Sequence, residues 1–313
     1  MSAAVSVPEA LPANYPPCSA APALWPMVAA RLGIYVELVK LRISSMVAVT
    51  VAAGFVLAST TTIDLNRLCL GVIGICLTAA ASSVWNQVLE RDTDRLMPRT
   101  SGRPLPSGRI SVVETSTFAL CLGVVGVIWL WCLVNPLTCG LSLATSLAYV
   151  LIYTPLKRRS IASTTFGAIP GAMPAVLGWT AAGGHLDLGA LSLFALLFAW
   201  QFPHFLAIAW LYREQYARAG LYLWPRDERV AALTALTYAL VLIPLSFLPH
   251  AAVLTGGMST VIALCAGMWY LYKTIQFTRR RTVETARALI HTSLIYLPLV
   301  LTAFTVEHVR LWQ

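Results

Sequence analysis

Three oxygen-bearing side chains recur at intervals of four residues where an apolar segment ends. Asn86, Glu90 and Asp94 fall on one helix face over about 12 Å, because residues four apart share a face. Placing carboxylates beside a membrane core costs desolvation free energy unless a cation neutralises them. Amide and carboxylate oxygens suit Mg²⁺ that also binds substrate phosphates. We therefore predict a Mg²⁺ site here; the alternative is a charged helix end held by local ion pairs.

Basic residues continue the pattern and suit the phosphates of such a substrate. Arg95, Arg99 and Arg103 follow at the same spacing of four, and a guanidinium can bind phosphate oxygens through two hydrogen bonds at once. A second basic cluster, residues 157–159, follows Tyr153 at the end of a later apolar segment. Ordinary anchoring at a membrane interface is the alternative explanation of that cluster.

Two further segments carry residues that suit a cavity between helices. Glycines and prolines recur between residues 167 and 178, where they permit close helix packing or a kink. A third polar cluster contains Trp200, Gln201 and His204 and continues to Tyr212 and Arg213. An ionisable residue within an apolar span is a candidate functional residue. A structural histidine bound to a backbone carbonyl is the alternative.

The composition excludes a soluble protein and predicts the elements that position these clusters. Of the 313 residues, 58% are hydrophobic and 11% are charged, against roughly 25% charged in soluble domains. Uncharged stretches of at least 19 residues separate the charged residues, and two of them are long enough for two spans each. We predict an all-α polytopic membrane protein with nine transmembrane helices. The stretches lack the period-two alternation of β-barrel strands.

The distribution of basic residues predicts the orientation in the membrane. With nine spans, 20 of the 22 Lys and Arg residues fall on one side, which is then the cytoplasmic side. The N-terminus is therefore expected in the cytoplasm and the C-terminus outside. The net charge of +9 is explained mainly by this topology, so we expect no nucleic-acid partner. The lipid bilayer is the expected environment.

The first residues differ from the rest of the chain. Residues 1–30 are rich in Ala and Pro and contain no basic residue, which predicts a disordered cytoplasmic tail and not a signal peptide. Residues 31–313 are then the membrane domain. Its first residues, 31–42, have the pattern of an amphipathic helix that lies at the membrane interface.

The motifs together resemble the protohaem IX farnesyltransferases, or haem O synthases, of the UbiA superfamily of intramembrane prenyltransferases. They read N-x-x-x-E-x-x-x-D (86–94), R-T-x-x-R-P-L (99–105), Y-T-P-L-K-R (153–158) and W-Q-x-P-H-F-L-A-x-A-W-x-Y-R (200–213). The resemblance covers roughly residues 31–306. It implies a UbiA-type helix bundle around a central cavity in the bacterial inner membrane.

The resemblance also implies a reaction and its participants. Farnesyl is transferred from farnesyl diphosphate to the vinyl group of haem b, with Mg²⁺ as cofactor, which gives haem O for haem-copper oxidases. A downstream haem A synthase is an implied partner. The implied catalytic residues are Asn86, Glu90, Asp94, Arg99, Arg103 and Lys157, the first three of which bind the metal. The implied substrate-binding residues are Arg95, Tyr153, Arg158, Trp200, His204, Tyr212 and Arg213.

Two positions depart from the pattern of these enzymes. Glu90 stands where the superfamily usually has Asp, which keeps the charge and lengthens the side chain. Gln215 stands where Y-R-E-D-Y usually places an aspartate of a second acidic motif. Two other functions stay open: prenyl transfer to a quinone or other lipid, and a non-catalytic transporter or haem carrier. Transporters tend to place ionisable groups near the bilayer midplane, whereas the carboxylates here lie at one face.

Overall fold

All secondary structure in the described part of the chain is helical. The computed structural model describes residues 24–223, 225 and 227–312. The helices are α1 (Leu24–Val39), α2 (Leu41–Ala58), α3 (Leu65–Leu89), α4 (Arg91–Arg95), α5 (Val112–Leu133), α6 (Pro136–Leu147), α7 (Thr154–Leu156), α8 (Ser163–Ala181), α9 (Leu188–Leu211), α10 (Arg213–Arg218), α11 (Glu228–Leu245), α12 (Leu248–Ala251), α13 (Gly257–Arg280) and α14 (Val283–Arg310). A π-helix, Ala148–Tyr153, joins α6 to α7. The predicted all-α fold is confirmed.

The protein is a multi-pass membrane protein. Within the described residues, seven helical segments are long and apolar enough to cross a membrane. They are Leu41–Ala58, Leu65–Leu89, Val112–Leu133, Pro136–Leu156, Leu188–Leu211, Glu228–Ala251 and Val283–Arg310. Helices α8 and α13 have 19 and 24 residues, which suffices in length, but they are richer in polar and small residues. The count of nine spans therefore stays a prediction.

The chain becomes helical earlier than the sequence predicted. Helix α1 begins at Leu24, so residues 24–30 do not belong to a disordered tail. Residues 1–23 of the predicted tail lie outside the described residues. Two ion pairs attach α1 to α5 and to the segment before it: Arg31 contacts Glu114 of α5 at 2.6 Å, and Glu37 contacts Arg109 at 3.0 Å.

Glycines bring α2 and α8 into backbone contact. A Cβ atom at Gly178 would clash with the carbonyl oxygen of Val51 and lie 2.8 Å from its carbon. A Cβ atom at Gly54 would meet the Ala175 carbonyl in the same way, with its carbon at 2.8 Å. Small residues are what allow membrane helices to approach this closely. The close packing predicted for the Gly/Pro segment is confirmed.

Hydrogen bonds at the helix ends fix where the chain turns. Asn135 follows α5, accepts a hydrogen bond from Thr138 N at 2.8 Å and donates one to Thr180 O at 2.8 Å. The chain therefore turns at Asn135–Pro136, and the Asn135 side chain that caps α6 also connects it to α8. On the other side of the bundle, α9, α13 and α14 pack around the fully buried rings of Tyr270 and Tyr296.

Candidate active site

A cavity of about 310 Å³ lies where α2, α3, α8 and α9 meet the π-helix, the short helices α4 and α10 and the neighbouring loops. Three of the sequence-predicted clusters contribute to it. Its polar and charged lining residues are Lys40, Asn86, Glu90, Asp94, Arg99, Thr100, Arg103, Tyr149, Tyr153, Lys157, Thr164 and Tyr216. The apolar part of the lining includes Phe205, Ile208 and Ala209 of α9. All six residues implied as catalytic are in this lining.

Asn86, Glu90 and Asp94, called here the acidic stripe, stay aligned although the helix that carries them is interrupted. Helix α3 ends at Leu89, and Glu90 (φ −96°, ψ 5°) separates it from α4. Glu90 N nevertheless donates to Asn86 O at 2.9 Å, and Asp94 N donates to Glu90 O at 2.7 Å. The spacing of one helical turn is thus kept across the junction. The side chains of Asn86, Glu90 and Asp94 are all buried.

Each of the two carboxylates is paired with a cation from another segment. Lys157 Nζ lies 2.8 Å from Glu90 Oε1, and Arg103 Nη1 donates to Asp94 Oδ2 at 2.7 Å. Burial alone lowers the pKa of Lys157, but the neighbouring Tyr153 phenol and Glu90 carboxylate outweigh it and raise the pKa above its ordinary value. The ammonium therefore stays charged. The Lys157–Glu90 pair differs from the local ion pairs of an ordinary helix end, because its two residues are distant in sequence.

The donor atoms of the stripe fit a divalent cation bound together with a phosphate ligand. Glu90 Oε1 is buried, and the nearby ammonium does not approach it with hydrogen-bond geometry. Asn86 uses Nδ2 to donate to Thr154 Oγ1 at 3.1 Å, which leaves its Oδ1 outside that bond. Within the described residues, no cluster of three or more His, Cys, Asp or Glu side chains forms a metal site. An ion here would therefore use one amide, two carboxylates and ligand oxygens, as Mg²⁺ commonly does.

Arg99 is held in the cavity by two tyrosines. Its guanidinium carbon lies 4.6 Å from the centroid of the Tyr212 ring, and Nη2 donates to Tyr216 Oη at 3.2 Å. Stacking of this kind fixes the plane of the guanidinium. Tyr212 is outside the cavity lining and contacts the site through Arg99. Tyr216 was not predicted, although its position four residues after Tyr212 places both rings on one face of α10.

The π-helix brings two tyrosines to the cavity. Within Ala148–Tyr153, the rings of Tyr149 and Tyr153 lie 5.1 Å apart, and Lys157 Nζ lies 4.4 Å from the Tyr153 ring centroid. Gly167 of α8 leaves room for the Tyr153 ring, because a Cβ atom there would lie 2.7 Å from Tyr153 Cδ2. π-Helical turns occur frequently at functional sites. Tyr153 is among the residues predicted from the sequence and Tyr149 is not, although the spacing of four residues between them was an available signal.

Three predicted substrate-binding arginines contact backbone carbonyls outside the cavity lining. Arg95 Nε donates to Pro106 O at 3.1 Å, and Arg158 Nη2 donates to Leu89 O at 3.2 Å. Arg213 Nη1 donates to Trp210 O at 3.0 Å, and its guanidinium stacks on the Trp210 ring. A basic side chain at the end of a helix stabilises its last carbonyl groups. In this structure the three arginines fix the chain segments that surround the cavity through these hydrogen bonds.

Trp200 and His204 contact α14 and are outside the cavity lining. Trp200 Nε1 donates to Ser293 O at 3.0 Å, and His204 Nδ1 lies 2.6 Å from Ser293 Oγ. The two rings stack with centroids 5.4 Å apart. Phe205, one residue later and about 100° around the helix, does line the cavity. The structure therefore does not bring the third cluster as a whole to the carboxylates.

The cavity lining includes Lys40, a cation that the sequence indicates only as a marker of membrane orientation. In the part of the chain that the structure describes, it includes no carboxylate from the second acidic motif. Lys40 lies between α1 and α2. Gln215 is half-buried in α10 and is outside the lining. Its Oε1 is buried without a hydrogen-bond partner among the described residues. The carboxylates in the cavity lining are therefore Glu90 and Asp94.

The arrangement of helices matches solved membrane prenyltransferases. A digeranylgeranylglyceryl phosphate synthase structure has a TM-score of 0.76 at 19% identity, covering 90% of this chain and 99% of that one. A UbiA homologue from Archaeoglobus fulgidus bound to DMAPP and Mg²⁺ has a TM-score of 0.57 at 16% identity, covering 87% and 99%. At these identities the comparison defines the fold alone: this is the UbiA fold, as the sequence implied.

Sequence comparison defines the family. The profile of the UbiA prenyltransferase family matches residues 47–297, and the chain belongs to this family; it is a membrane prenyltransferase. A curated relative from Solibacter usitatus, named protoheme IX farnesyltransferase, is 42% identical over 85% of this chain and 95% of its own length. Another of that name, from Cytophaga hutchinsonii, is 38% identical over 90% of this chain and its entire length.

Proposed function

We propose that this chain transfers farnesyl from farnesyl diphosphate to a vinyl group of haem b, with addition of water, to give haem O. The single observation that carries the proposal is the cavity in which Glu90 pairs with Lys157 and Asp94 with Arg103. It offers carboxylate oxygens for a metal and cations for a diphosphate at the same place. The curated relatives named protoheme IX farnesyltransferase supply the acceptor.

Asn86, Glu90 and Asp94 would hold Mg²⁺. When bound, the ion supplies positive charge that makes diphosphate a better leaving group. A solved UbiA homologue that contains Mg²⁺ with DMAPP supports this assignment. The burial of both carboxylates favours it as well, because buried carboxylates are stable only next to positive charge.

The cations of the cavity would bind the diphosphate directly. Arg103 and Lys157 are within 3 Å of the carboxylates, so a metal on those carboxylates would release both cations to the phosphate oxygens. Arg99, fixed by its tyrosines, adds a guanidinium. Charges placed in advance where negative charge develops are among the strongest contributions to catalysis.

The aromatic lining would stabilise the allylic carbocation and exclude water. Tyr153 and Phe205 face the same cavity as the cations. An aromatic face attracts a positive charge within about 6 Å. We place haem b against the apolar α9 side of the cavity, with His204 and Trp200 as contacts at its outer edge. Arg158, Arg95, Tyr212 and Arg213 then act by positioning segments and Arg99, not by touching substrate.

The distribution of basic residues supports a cavity that opens towards the cytoplasm of the bacterial inner membrane. With the cavity on that side, the N-terminus is cytoplasmic and the C-terminus is outside. The haem O formed in the bilayer would pass to an enzyme of the haem A synthase type. The second acidic motif is not required in this proposal, since Gln215 is outside the cavity lining.

A product assay tests the acceptor. Membranes that contain the protein receive haem b, farnesyl diphosphate and Mg²⁺, and the extract is analysed by mass spectrometry. We expect a haem that has gained farnesyl and the elements of water. Absence of this product, while a curated relative forms it in parallel, would contradict the proposal. A prenylated quinone would identify a lipid acceptor instead.

A further inference from the structure

Lys40 has a backbone conformation that is unfavourable for lysine. It lies between α1 and α2 with φ 55° and ψ 62°, in the left-handed region. Its carbonyl accepts hydrogen bonds from Ile43 N at 2.9 Å and Ser44 N at 3.1 Å, while Ser44 Oγ bonds to Val39 O at 2.9 Å. The first turn of α2 therefore holds the conformation. Strained residues of this kind concentrate at functional sites.

The turn directs the Lys40 side chain into the cavity of the acidic stripe, where the other cations already have partners. Lys157 pairs with Glu90, and Arg103 pairs with Asp94. Arg99 donates to Tyr216. Among the described residues, no acceptor or carboxylate lies within hydrogen-bond or ion-pair distance of the Lys40 ammonium.

An ammonium without a partner is costly in this place. Burial, together with the positive charges of Arg103 and Lys157, lowers the pKa of Lys40 to about 8. The cavity thus carries positive charge that its own carboxylates do not neutralise. A ligand with several negative charges would remove this cost on binding, and a diphosphate is such a ligand.

We propose that Lys40 Nζ contacts the diphosphate of the prenyl donor and stabilises it as it leaves. This inference rests on the proposed function, but on its donor half only. As the bond between the allylic carbon and the diphosphate oxygen breaks, the electron pair stays on that oxygen. Lys40 supplies positive charge to it and transfers no proton. Lys40 is then a catalytic residue, in addition to its contribution to membrane topology.

Two substitutions separate the charge from the backbone conformation. Lys40→Gly removes the ammonium and suits the positive φ, because glycine adopts it without strain. Lys40→Arg keeps a positive charge. Arg42→Gln is the matched control, because Arg42 is exposed and outside the cavity lining. The proteins are placed in nanodiscs of zwitterionic lipid, and inorganic pyrophosphate binding is measured calorimetrically with Mg²⁺ present.

We expect Lys40→Gly to weaken pyrophosphate binding about tenfold or more, as the loss of one charged hydrogen bond does. Its thermal stability should equal or exceed that of the wild type. Lys40→Arg should keep most of the affinity, and Arg42→Gln all of it. In steady-state turnover, Lys40→Gly should raise KM for farnesyl diphosphate and lower kcat.

Wild-type pyrophosphate affinity in Lys40→Gly would overturn the inference. Equal losses in Lys40→Gly and Lys40→Arg, each with a lowered melting temperature, would assign a structural role and overturn it too. Binding that depends on Lys40 only in nanodiscs with anionic lipid would mean that the ammonium binds headgroups. If the acceptor proves to be a quinone, the proposed function fails while the pyrophosphate result still tests Lys40.

Discussion

The substitution Gly167→Ala tests whether the packing behind Tyr153 positions the site. An added Cβ atom would lie 2.7 Å from Cδ2 and 3.0 Å from Cζ of the Tyr153 ring, with Cε2 closer still. Carbon atoms in contact are separated by about 3.5 Å or more. The ring must therefore move by about 0.8 Å or more, unless α8 itself moves. Gly178 packs α8 directly against the backbone of α2. Because α8 therefore has little room to move, we expect the Tyr153 ring to move instead.

The displaced ring should affect catalysis more than folding. Tyr153 lies over Lys157, which pairs with Glu90, so its movement disturbs the cation and the carboxylate together. A displacement near 1 Å at a reacting site can cost about 100-fold. We expect kcat/KM for haem O formation to fall by about that factor. Overpacking should lower the free energy of unfolding by about 1–3 kcal/mol.

Initial rates with purified enzyme in nanodiscs, together with thermal melting, measure both effects. Gly140→Ala in α6 is the matched control, because a Cβ atom there meets nothing within 4 Å. The double variant Gly167→Ala/Tyr153→Ala should lose little activity beyond Tyr153→Ala alone, since the clash is then removed. A kcat/KM for Gly167→Ala within about twofold of the wild type would refute this reasoning.

Two further predictions concern stability. Gly178→Ala places a Cβ atom against the Val51 carbonyl, which is backbone and cannot rotate away. We expect the free energy of unfolding, measured with denaturant, to fall by about 3 kcal/mol. An unchanged unfolding midpoint would contradict the close packing. Asn135→Ala removes the hydrogen bonds to Thr138 N and Thr180 O, which should lower the free energy of unfolding by about 1–2 kcal/mol. Asn135→Asp keeps the cap and should recover part of this loss in the same assay.

The local features of the site could be predicted from the sequence. A spacing of four residues is enough to align Asn86, Glu90 and Asp94, because helical periodicity depends only on neighbours along the chain. The uncharged stretches likewise predict membrane helices from length and composition. Helices α8 and α13 are less clear in composition, because they use small and polar residues where they pack against other helices.

The contacts between distant segments could not be predicted in this way. Nothing in the sequence pairs Lys157 with Glu90 rather than with Asp94; the positions of α3 and α7 decide it. Lys40 reaches the cavity only through its left-handed turn, which a charge pattern does not show. The contact of His204 with α14 could not be predicted either, because its motif fixes the neighbours in sequence but not which side of α9 faces the cavity.

The comparison of Asp94→Asn with Asp92→Asn tests the central claim, that the buried stripe binds a metal–diphosphate. Both residues lie in α4, but Asp94 is buried in the cavity and pairs with Arg103, whereas the Asp92 side chain is 78% exposed. Farnesyl diphosphate binding is titrated with Mg²⁺ for both variants and the wild type. We predict that Mg²⁺ strengthens binding equally in the wild type and Asp92→Asn, and that Asp94→Asn loses this response by about tenfold or more. An undiminished Mg²⁺ response in Asp94→Asn would contradict the account.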